Sequence, residues 1–493
     1  MRRLFVLASL SVLTATAASR QSPAQAIAAT VRPLPYTRFV LPNGLTAILN
    51  EDHASPIASV DVFYRIGSRD DPPGRIGIAH FCEHIISEGS PNLELPQGDF
   101  YTTLGGTSAR QAETSEDITH YYVVIPSHQL ETVIWTEGDR LRNKLSKTDS
   151  ATLTAVRAVI AQERLSTVEG APLEFVGERQ IVAQALFPVP NPYNTSMLSP
   201  MHDLPTIDAA AMRESCGPYY VPNNAVIAVS GDFDTGSVKQ WIAKYFSDIP
   251  RGAPVKRAPV PEAPIPNEQR LVLEDPSLSV PQLRMNWRGA AYDNPDRAAL
   301  LALASSLSLA RFASDGHLAS VGVEAPVSLG RLSKLLVQDR QLATRVLIDN
   351  YDLERAGVFE IAIYPRANAS LTTIETLVDS VMSAMAESPV TKEELALFNS
   401  YNTVQIAAAL QPRFARSDTL AHDEIFAGNP TAYAKQAMSA RVLTAEDIER
   451  VRKRYLTSGR VVVSLVPAGK VALASKPDLP FTNATPAYAK PKP

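Results

Sequence analysis

Both halves of this 493-residue chain end with the same order of sequence features. In each half, a helix-forming segment is followed by tyrosine and then by a strongly apolar strand. A repeated order of this kind predicts a duplicated fold with two similar lobes that face each other. The features are 206–213, Tyr219 with Tyr220, and 225–231 in the first half, and 443–450, Tyr455 and 461–466 in the second.

A proline-rich segment lies between the two halves. Proline recurs through 251–266, where helix signals are weak, and such a composition favours an extended linker. We therefore predict a first lobe over 33–250, a linker over 251–268, a second lobe over 269–475 and a flexible tail over 476–493.

Each lobe mixes strands with helices. Alternating strands such as 60–64 and 359–364 are separated by helical stretches such as 298–309 and 370–387. With 45% hydrophobic residues, the chain can bury more than one core. The predicted fold class is α+β, with two homologous αβ-sandwich lobes.

The N-terminus reads as a secretory signal peptide. A basic start, a short apolar stretch and small residues follow in that order, with cleavage predicted after Ala17, Ala18 or Ala26, and we assign 1–26 to the signal. No later segment is apolar and long enough to cross a bilayer. We expect a soluble mature protein in the periplasm. The net charge of −4 excludes the basic field that nucleic-acid binding needs.

His80 and His84 stand four residues apart, with Glu83 between them. On a helix this spacing directs both imidazoles to one spot, and Glu83 can reach a metal-bound water without being a ligand. The alternative is a half-exposed polar helix face. Cys82 points away from the histidines, so we expect it in the core, and a bridge to Cys216 is the other possibility.

A catalytic zinc needs a third protein ligand from elsewhere in the chain. Glu163 follows a stretch in which Leu153, Val156 and Ile160 give helical periodicity, so a second helix packed on the first could deliver it. The alternative is that Glu163 pairs with an arginine on a solvated helix face.

The order His-x-x-Glu-His followed by a distal glutamate resembles the inverted zinc metallopeptidases of family M16, which include insulinase, pitrilysin and the mitochondrial processing peptidase. The resemblance extends over roughly residues 35–470. Further segments that look like family landmarks, in the family order, are 36–46, 59–69, Gly105 with Gly106, 112–122 and 219–232.

The resemblance implies a duplicated LuxS/metallopeptidase-like fold and one Zn²⁺ per chain. It implies that His80, His84 and Glu163 are the zinc ligands and that Glu83 is the general base of a metalloendopeptidase. Substrate would be a peptide or an unfolded polypeptide segment, held in a two-lobed chamber and paired with an edge strand that includes Gln111 and Ala112.

Two positions near the predicted zinc site depart from the family pattern. Family members often carry a supporting glutamate where this chain has Val156, and an asparagine where it has Gln111. The first change affects the residues that orient the ligands, because such outer partners hold ligands in place. The second affects only the grip on substrate.

The second half departs further. Self-sufficient family members supply an arginine and a tyrosine there, at positions that match Val337 and Thr344. Arg340 could substitute for the arginine by a local shift. A first half with a complete zinc motif, joined to a second half without the arginine and tyrosine, resembles the catalytic subunit of heterodimeric members. We therefore predict a heterodimer with an M16-like partner that carries this pair. The alternative is a misalignment beside an apparent insertion at 310–326.

Two classes of function follow from these features. The first is a zinc endopeptidase subunit. The second is a non-catalytic peptide-binding or assembly protein that retains a structural metal site. The free glutamate at Glu83 favours the enzyme, because a purely structural zinc has no use for a base.

Overall fold

The computed structural model describes residues 31–106, 112–173, 177–195, 203–261, 265–309 and 329–486. The predicted signal peptide lies outside these residues. Among the helices of the described part, none combines the length and apolarity that a membrane crossing requires.

The first lobe is built on a six-stranded mixed sheet. Its strand order is β1-β2-β6-β3-β5-β4, with β2 parallel to β6 and the other neighbours antiparallel. One face carries alternate residues such as Val60 and Val62 into the main core of this lobe. The strands are β1 (Thr37–Val40), β2 (Thr46–Glu51), β3 (Ile57–Tyr64), β4 (Ala112–Thr114), β5 (Thr119–Pro126) and β6 (Ala225–Gly231).

Helices cover that face of the first sheet. α4 begins where the Asp149 side chain accepts backbone N–H bonds from Ala151 and Thr152, a standard N-cap. The helices of the first half are α1 (Ile78–Ser87), α2 (Gln97–Thr103), α3 (Leu130–Arg142), α4 (Ser150–Arg164), α5 (Gly177–Leu186), α6 (Ala209–Ser215) and α7 (Thr235–Phe246).

The second lobe repeats the topology of the first. Its sheet order is β12-β7-β11-β8-β10-β9, so β7, β11, β8, β10 and β9 occupy the places of β2, β6, β3, β5 and β4, and β7 and β11 form the matching parallel pair. This confirms the two-lobed α+β fold. The strands are β7 (Gln269–Asp275), β8 (Gln282–Gly289), β9 (Ala343–Asp352), β10 (Gly357–Pro365), β11 (Val461–Pro467) and β12 (Thr482–Asn483).

The second lobe also has its own helical layer, whose apolar side chains pack on the sheet around Met285 and Ile361. The helices are α8 (Arg297–Leu307), α9 (Arg331–Ser333), which continues as a π-helical segment over Lys334–Asp339, α10 (Leu371–Ala384), α11 (Lys392–Ala409), α12 (Arg413–Ala427), α13 (Ala432–Ala440) and α14 (Ala445–Tyr455).

The two lobes exchange helices. α12 of the second half packs on the first sheet, where Leu420 and Ala421 meet Phe63. In return, α5 packs on the second sheet, where Leu186 lies in one cluster with Val463. Each sheet is thereby buried on its second face by a helix from the other half.

The end of the second half corrects one prediction. The stretch 476–486 is attached to the second lobe, although residues 477–483 are exposed, and is not a flexible tail. β12 pairs in parallel with β7, and the Lys476 ammonium donates to Glu375 at 2.6 Å. A two-residue strand and one ion pair leave little trace in a proline-rich sequence, which explains the error.

Candidate metal centre

α1 carries the His-x-x-Glu-His motif and is fixed firmly at its first turn. Gly77 precedes the helix with φ of 85°, a left-handed conformation that favours glycine. The Asp71 carboxylate accepts from the backbone N–H groups of Gly77, at 2.6 Å, and Ala79, at 3.0 Å. These bonds satisfy donors that every helix N-terminus leaves open.

The back of α1 is joined covalently to the end of α6. Cys82 lies on the face opposite the histidines, is fully buried, and forms a disulfide with Cys216, with 6.5 Å between their Cα atoms. The bridge that the sequence left as the second possibility is therefore the arrangement in the structure. It fixes the motif helix to the region before β6.

Three side chains converge in front of α1. The Nε2 atoms of His80 and His84 are 3.1 Å apart, and a Glu163 carboxylate oxygen lies 3.6 and 3.5 Å from them. Bonds of about 2.0–2.1 Å to a tetrahedral zinc put ligand atoms about 3.3 Å apart. The donor set and its spacing therefore fit Zn²⁺ with one coordination position left open.

Glu163 arrives from α4, close to where that helix passes into the π-helical turn Leu165–Glu169. Its side chain is 40% exposed, whereas that of His80 is buried. The open side of the three-ligand cluster is thus the side of Glu163, where solvent and a substrate can enter.

The two histidines respond differently to their surroundings. Burial lowers the pKa of His80 below its ordinary value, against the nearby charge of Glu83. For His84, burial also lowers the pKa, but the hydrogen bond that the imidazole donates to Glu163 and the charge of Glu83 outweigh it, so the pKa is raised. Metal binding needs both imidazoles neutral, so metal affinity should fall as the pH is lowered.

Glu83 is held beside this cluster without joining it. Thr114 Oγ1 donates to Glu83 Oε2 at 2.6 Å, and both residues are buried. Thr114 Oγ1 lies 3.1 Å from Thr119 Oγ1, which donates to the carbonyl oxygen of Ile66. The Thr114 hydroxyl therefore fixes the Glu83 carboxylate, and the Thr119 hydroxyl beside it is fixed in turn to the backbone.

Thr114 escaped the sequence reasoning, although it lies in the landmark segment 112–122. The signal that could have found it is the alternation of β4, which turns Ala112 and Thr114 to one side and Glu113 to the other. β4 is the edge strand of its sheet and, among the described residues, is paired through β5 alone. Gln111 lies outside the described residues.

The Tyr121 hydroxyl lies against the backbone of α1, and the Tyr220 hydroxyl lies beside it. Tyr121 OH lies 3.5 Å from the carbonyl oxygen of Glu83 and 3.2 Å from Tyr220 OH, and the Arg140 guanidinium stacks on the Tyr121 ring at 4.0 Å. Tyr220 belongs to the repeated helix-tyrosine-strand feature. Through its contact with Tyr121, this residue of the repeated feature therefore also helps to hold α1 in place.

Val156, where the family resemblance leads us to expect a supporting glutamate, offers the site no polar group. Val156 is buried in the core of the first lobe. Within the described part of the chain, Nδ1 of His80 is buried and makes no hydrogen bond. Metal-bound histidines usually donate this N–H to a carboxylate or carbonyl group. His80 is oriented mainly by the packing of α1.

The two positions in the second half sit in ordinary structural roles. Val337 packs against the core of the second lobe, and the exposed Thr344 donates its hydroxyl to the carbonyl oxygen of Tyr364 at 3.0 Å. Gln341, between them, has φ of 51°. That left-handed conformation is one that residues with a side chain rarely adopt.

Comparison with known proteins agrees with this geometry. Residues 46–183 match the family described as Insulinase (Peptidase family M16), and residues 206–397 match the description Peptidase M16 inactive domain. The chain belongs to peptidase family M16. The two matches together span most of both lobes.

Among its M16 relatives are the zinc protease PqqE of Helicobacter pylori and the mitochondrial-processing peptidase subunit beta of Blastocladiella emersonii. PqqE is 23% identical over 365 residues, which are 73% of this chain and 77% of PqqE. The Blastocladiella subunit is 23% identical over 422 residues, which are 84% of this chain and 85% of that subunit.

Solved structures share the fold. A protease from Helicobacter pylori superposes with a TM-score of 0.75 at 20% identity, covering 88% of this chain and 100% of that one. The periplasmic protease PqqL from Escherichia coli gives a TM-score of 0.72 at 14% identity and covers 91% of this chain. This chain corresponds to 49% of PqqL.

Proposed function

We propose that this chain is the zinc-bearing subunit of an endopeptidase that hydrolyses peptides or unfolded polypeptide segments. The observation that carries the proposal is the position of Glu83. Its carboxylate is anchored by Thr114 next to three metal-binding side chains and is not one of them. A structural metal site has no need for such a group.

In this proposal, His80, His84 and Glu163 hold one Zn²⁺. Zinc bound there supplies a Lewis acid that polarises the scissile carbonyl and lowers the pKa of a water molecule. Glu83 takes the proton of the attacking water and passes it to the leaving amine. The outer edge of β4, with Gln111 and Ala112, pairs with the substrate backbone as an added strand.

We further infer that the active enzyme is a heterodimer. Transition-state stabilisation needs donors aimed at the oxyanion, and the aliphatic Val337 and the short Thr344 do not supply them. A partner subunit that carries the arginine and tyrosine would complete the site.

We place this enzyme in the periplasm. A disulfide between Cys82 and Cys216 requires an oxidising compartment, which agrees with the predicted signal peptide. One protein of the same fold, PqqL, is a periplasmic protease.

The test uses the Val337→Arg/Thr344→Tyr background, in which the isolated chain should be active, and compares this parent with Glu83→Gln, with Glu94→Gln on the exposed surface as the matched control. Zinc content and hydrolysis of a quenched fluorescent peptide are measured on the same samples. The proposal expects equal zinc in all three proteins and loss of hydrolysis in Glu83→Gln alone. Hydrolysis by the Glu83→Gln protein at the rate of its parent would remove the mechanism.

The partner hypothesis has its own test. The double substitution Val337→Arg/Thr344→Tyr should raise the activity of the isolated chain at least tenfold, because it restores the missing donors. Vigorous hydrolysis by the unmodified chain alone would contradict the need for a partner. It would mean that a second copy or another residue of this chain completes the site.

A further inference from the structure

A second group of potential metal ligands lies away from the zinc-binding residues. We propose that Asp61, His120 and Asp418 bind a divalent transition-metal ion, zinc or manganese, and that this ion joins the two lobes. Nothing in the proposed peptidase reaction uses these residues.

The three side chains come from separate elements. Asp61 lies on β3, His120 on the neighbouring β5, and Asp418 on α12, the helix that the second half contributes to the first sheet. His120 Nδ1 lies 3.1 Å from Asp61 Oδ1 and 3.8 Å from Asp418 Oδ1. One ligand atom from each residue lies within 4.8 Å of the others. Small side-chain shifts would give all three atoms a bond to one ion.

The site is dry. The side chains of Asp61, Asp418 and His120 are 0%, 1% and 3% exposed. Two carboxylates in such surroundings need strong compensation, because burial of an ionised group is costly. A divalent ion would match the charge of both aspartates, whereas a protonated imidazole matches the charge of one.

The electric field around His120 is suited to a cation. A Glu113 carboxylate oxygen lies 3.8 Å from its Nε2, so three carboxylates surround one imidazole. The same negative field attracts a metal ion to the Nδ1 side.

The donor set also limits which metal fits. Imidazole nitrogen with two carboxylates suits zinc or manganese, whereas calcium and magnesium favour all-oxygen sites. An ion here would bind α12 to the sheet at the point where Ser417 Oγ already lies 2.9 Å from Ser59 Oγ. The ion would also lie close to Glu113, the central residue of β4, whose neighbour Thr114 contacts Glu83.

The experiment removes the first site and counts metal at the second. The full chain with His80→Ala/His84→Ala is incubated with Zn²⁺ or Mn²⁺ and dialysed. Inductively coupled plasma mass spectrometry then gives the number of metal ions bound per chain. The proposal expects two metal ions in wild type and one in the double variant. Adding Asp61→Asn and Asp418→Asn should remove the remaining ion, whereas adding Asp99→Asn on the surface should not.

A second readout guards against misfolding of the aspartate variants. Co²⁺ added to His80→Ala/His84→Ala should give visible ligand-field absorption, and Zn²⁺ should raise its melting temperature by several degrees. No metal bound and no thermal shift in that folded double variant would overturn the proposal, and the three residues would then form a proton-bound ion triad. A failure of the zinc site proposed for the peptidase would give a different result. Wild type would then bind a single ion, and Asp61→Asn/Asp418→Asn would remove it.

Discussion

Substitution Thr114→Val tests how Glu83 is held, one step removed from the zinc ligands. Valine keeps the shape of threonine and its preference for strands, so β4 should stay intact. The change removes the hydroxyl that donates to Glu83 Oε2 at 2.6 Å inside a buried pair. It leaves the three metal-binding side chains untouched.

The expected loss can be worked from that single contact. A hydrogen bond to a charged group contributes about 1.5–3 kcal/mol. Each 1.4 kcal/mol corresponds to about a tenfold change in rate, so kcat/KM should fall roughly 10- to 150-fold. Zinc content should not change, because Thr114 contacts the base rather than a ligand.

Activity is measured with a quenched fluorescent peptide, in the isolated chain and in the Val337→Arg/Thr344→Tyr background, with zinc determined on each sample. Thr154→Val serves as the control, since that exposed threonine lies on α4 and bonds only to its own helix. A rate within twofold of the parent, at equal zinc content, would refute the orienting role of Thr114. Loss of zinc would show that the residue acts through the fold of the site.

Three further perturbations test the supporting structure. Cys82→Ala/Cys216→Ala should destabilise the chain by about 2–5 kcal/mol, because the bridge closes a loop of 134 residues, and the midpoint of urea unfolding measures this. Arg257→Met should cost about 3–5 kcal/mol by the same measurement, because the buried Asp70 carboxylate loses its guanidinium partner and Glu354 keeps only its other arginines, whereas the exposed Arg355→Met should cost little. Burial raises the pKa of Glu375, but hydrogen bonds from an arginine, a lysine and a serine outweigh burial and lower this pKa to about 2. The ionised carboxylate therefore stabilises the fold above its ordinary pKa of 4.5, and this stabilisation is lost as the pH falls towards 2. Melting temperatures measured across that pH range should decline less for Glu375→Gln than for wild type.

The spacing of residues along the sequence is enough to predict much of the candidate site. The i, i+4 pair His80 and His84 needs only a helix to share a face, and α1 provides it. Periodicity and the family resemblance predict Glu163 as the third side chain, and α4 brings its carboxylate to the same point. The roles of these residues in binding zinc and in catalysis stay predictions.

Long-range contacts account for what the sequence did not predict. Thr114 reaches Glu83 across 31 residues, and the pairing of Cys82 with Cys216 depends on a distance between two helices that no spacing determines. The exchange of α12 and α5 between lobes has the same cause. An amphipathic helix shows that it has an apolar face, but not which sheet that face will cover.

Anomalous X-ray diffraction at the zinc absorption edge, from crystals of the purified chain, tests the central claim most directly. The account predicts a zinc peak within bonding distance of His80 Nε2, His84 Nε2 and a Glu163 carboxylate oxygen, with Glu83 beyond bonding distance. A peak coordinated by Glu83 in place of Glu163, or no zinc at the two histidines in a zinc-replete sample, would contradict it.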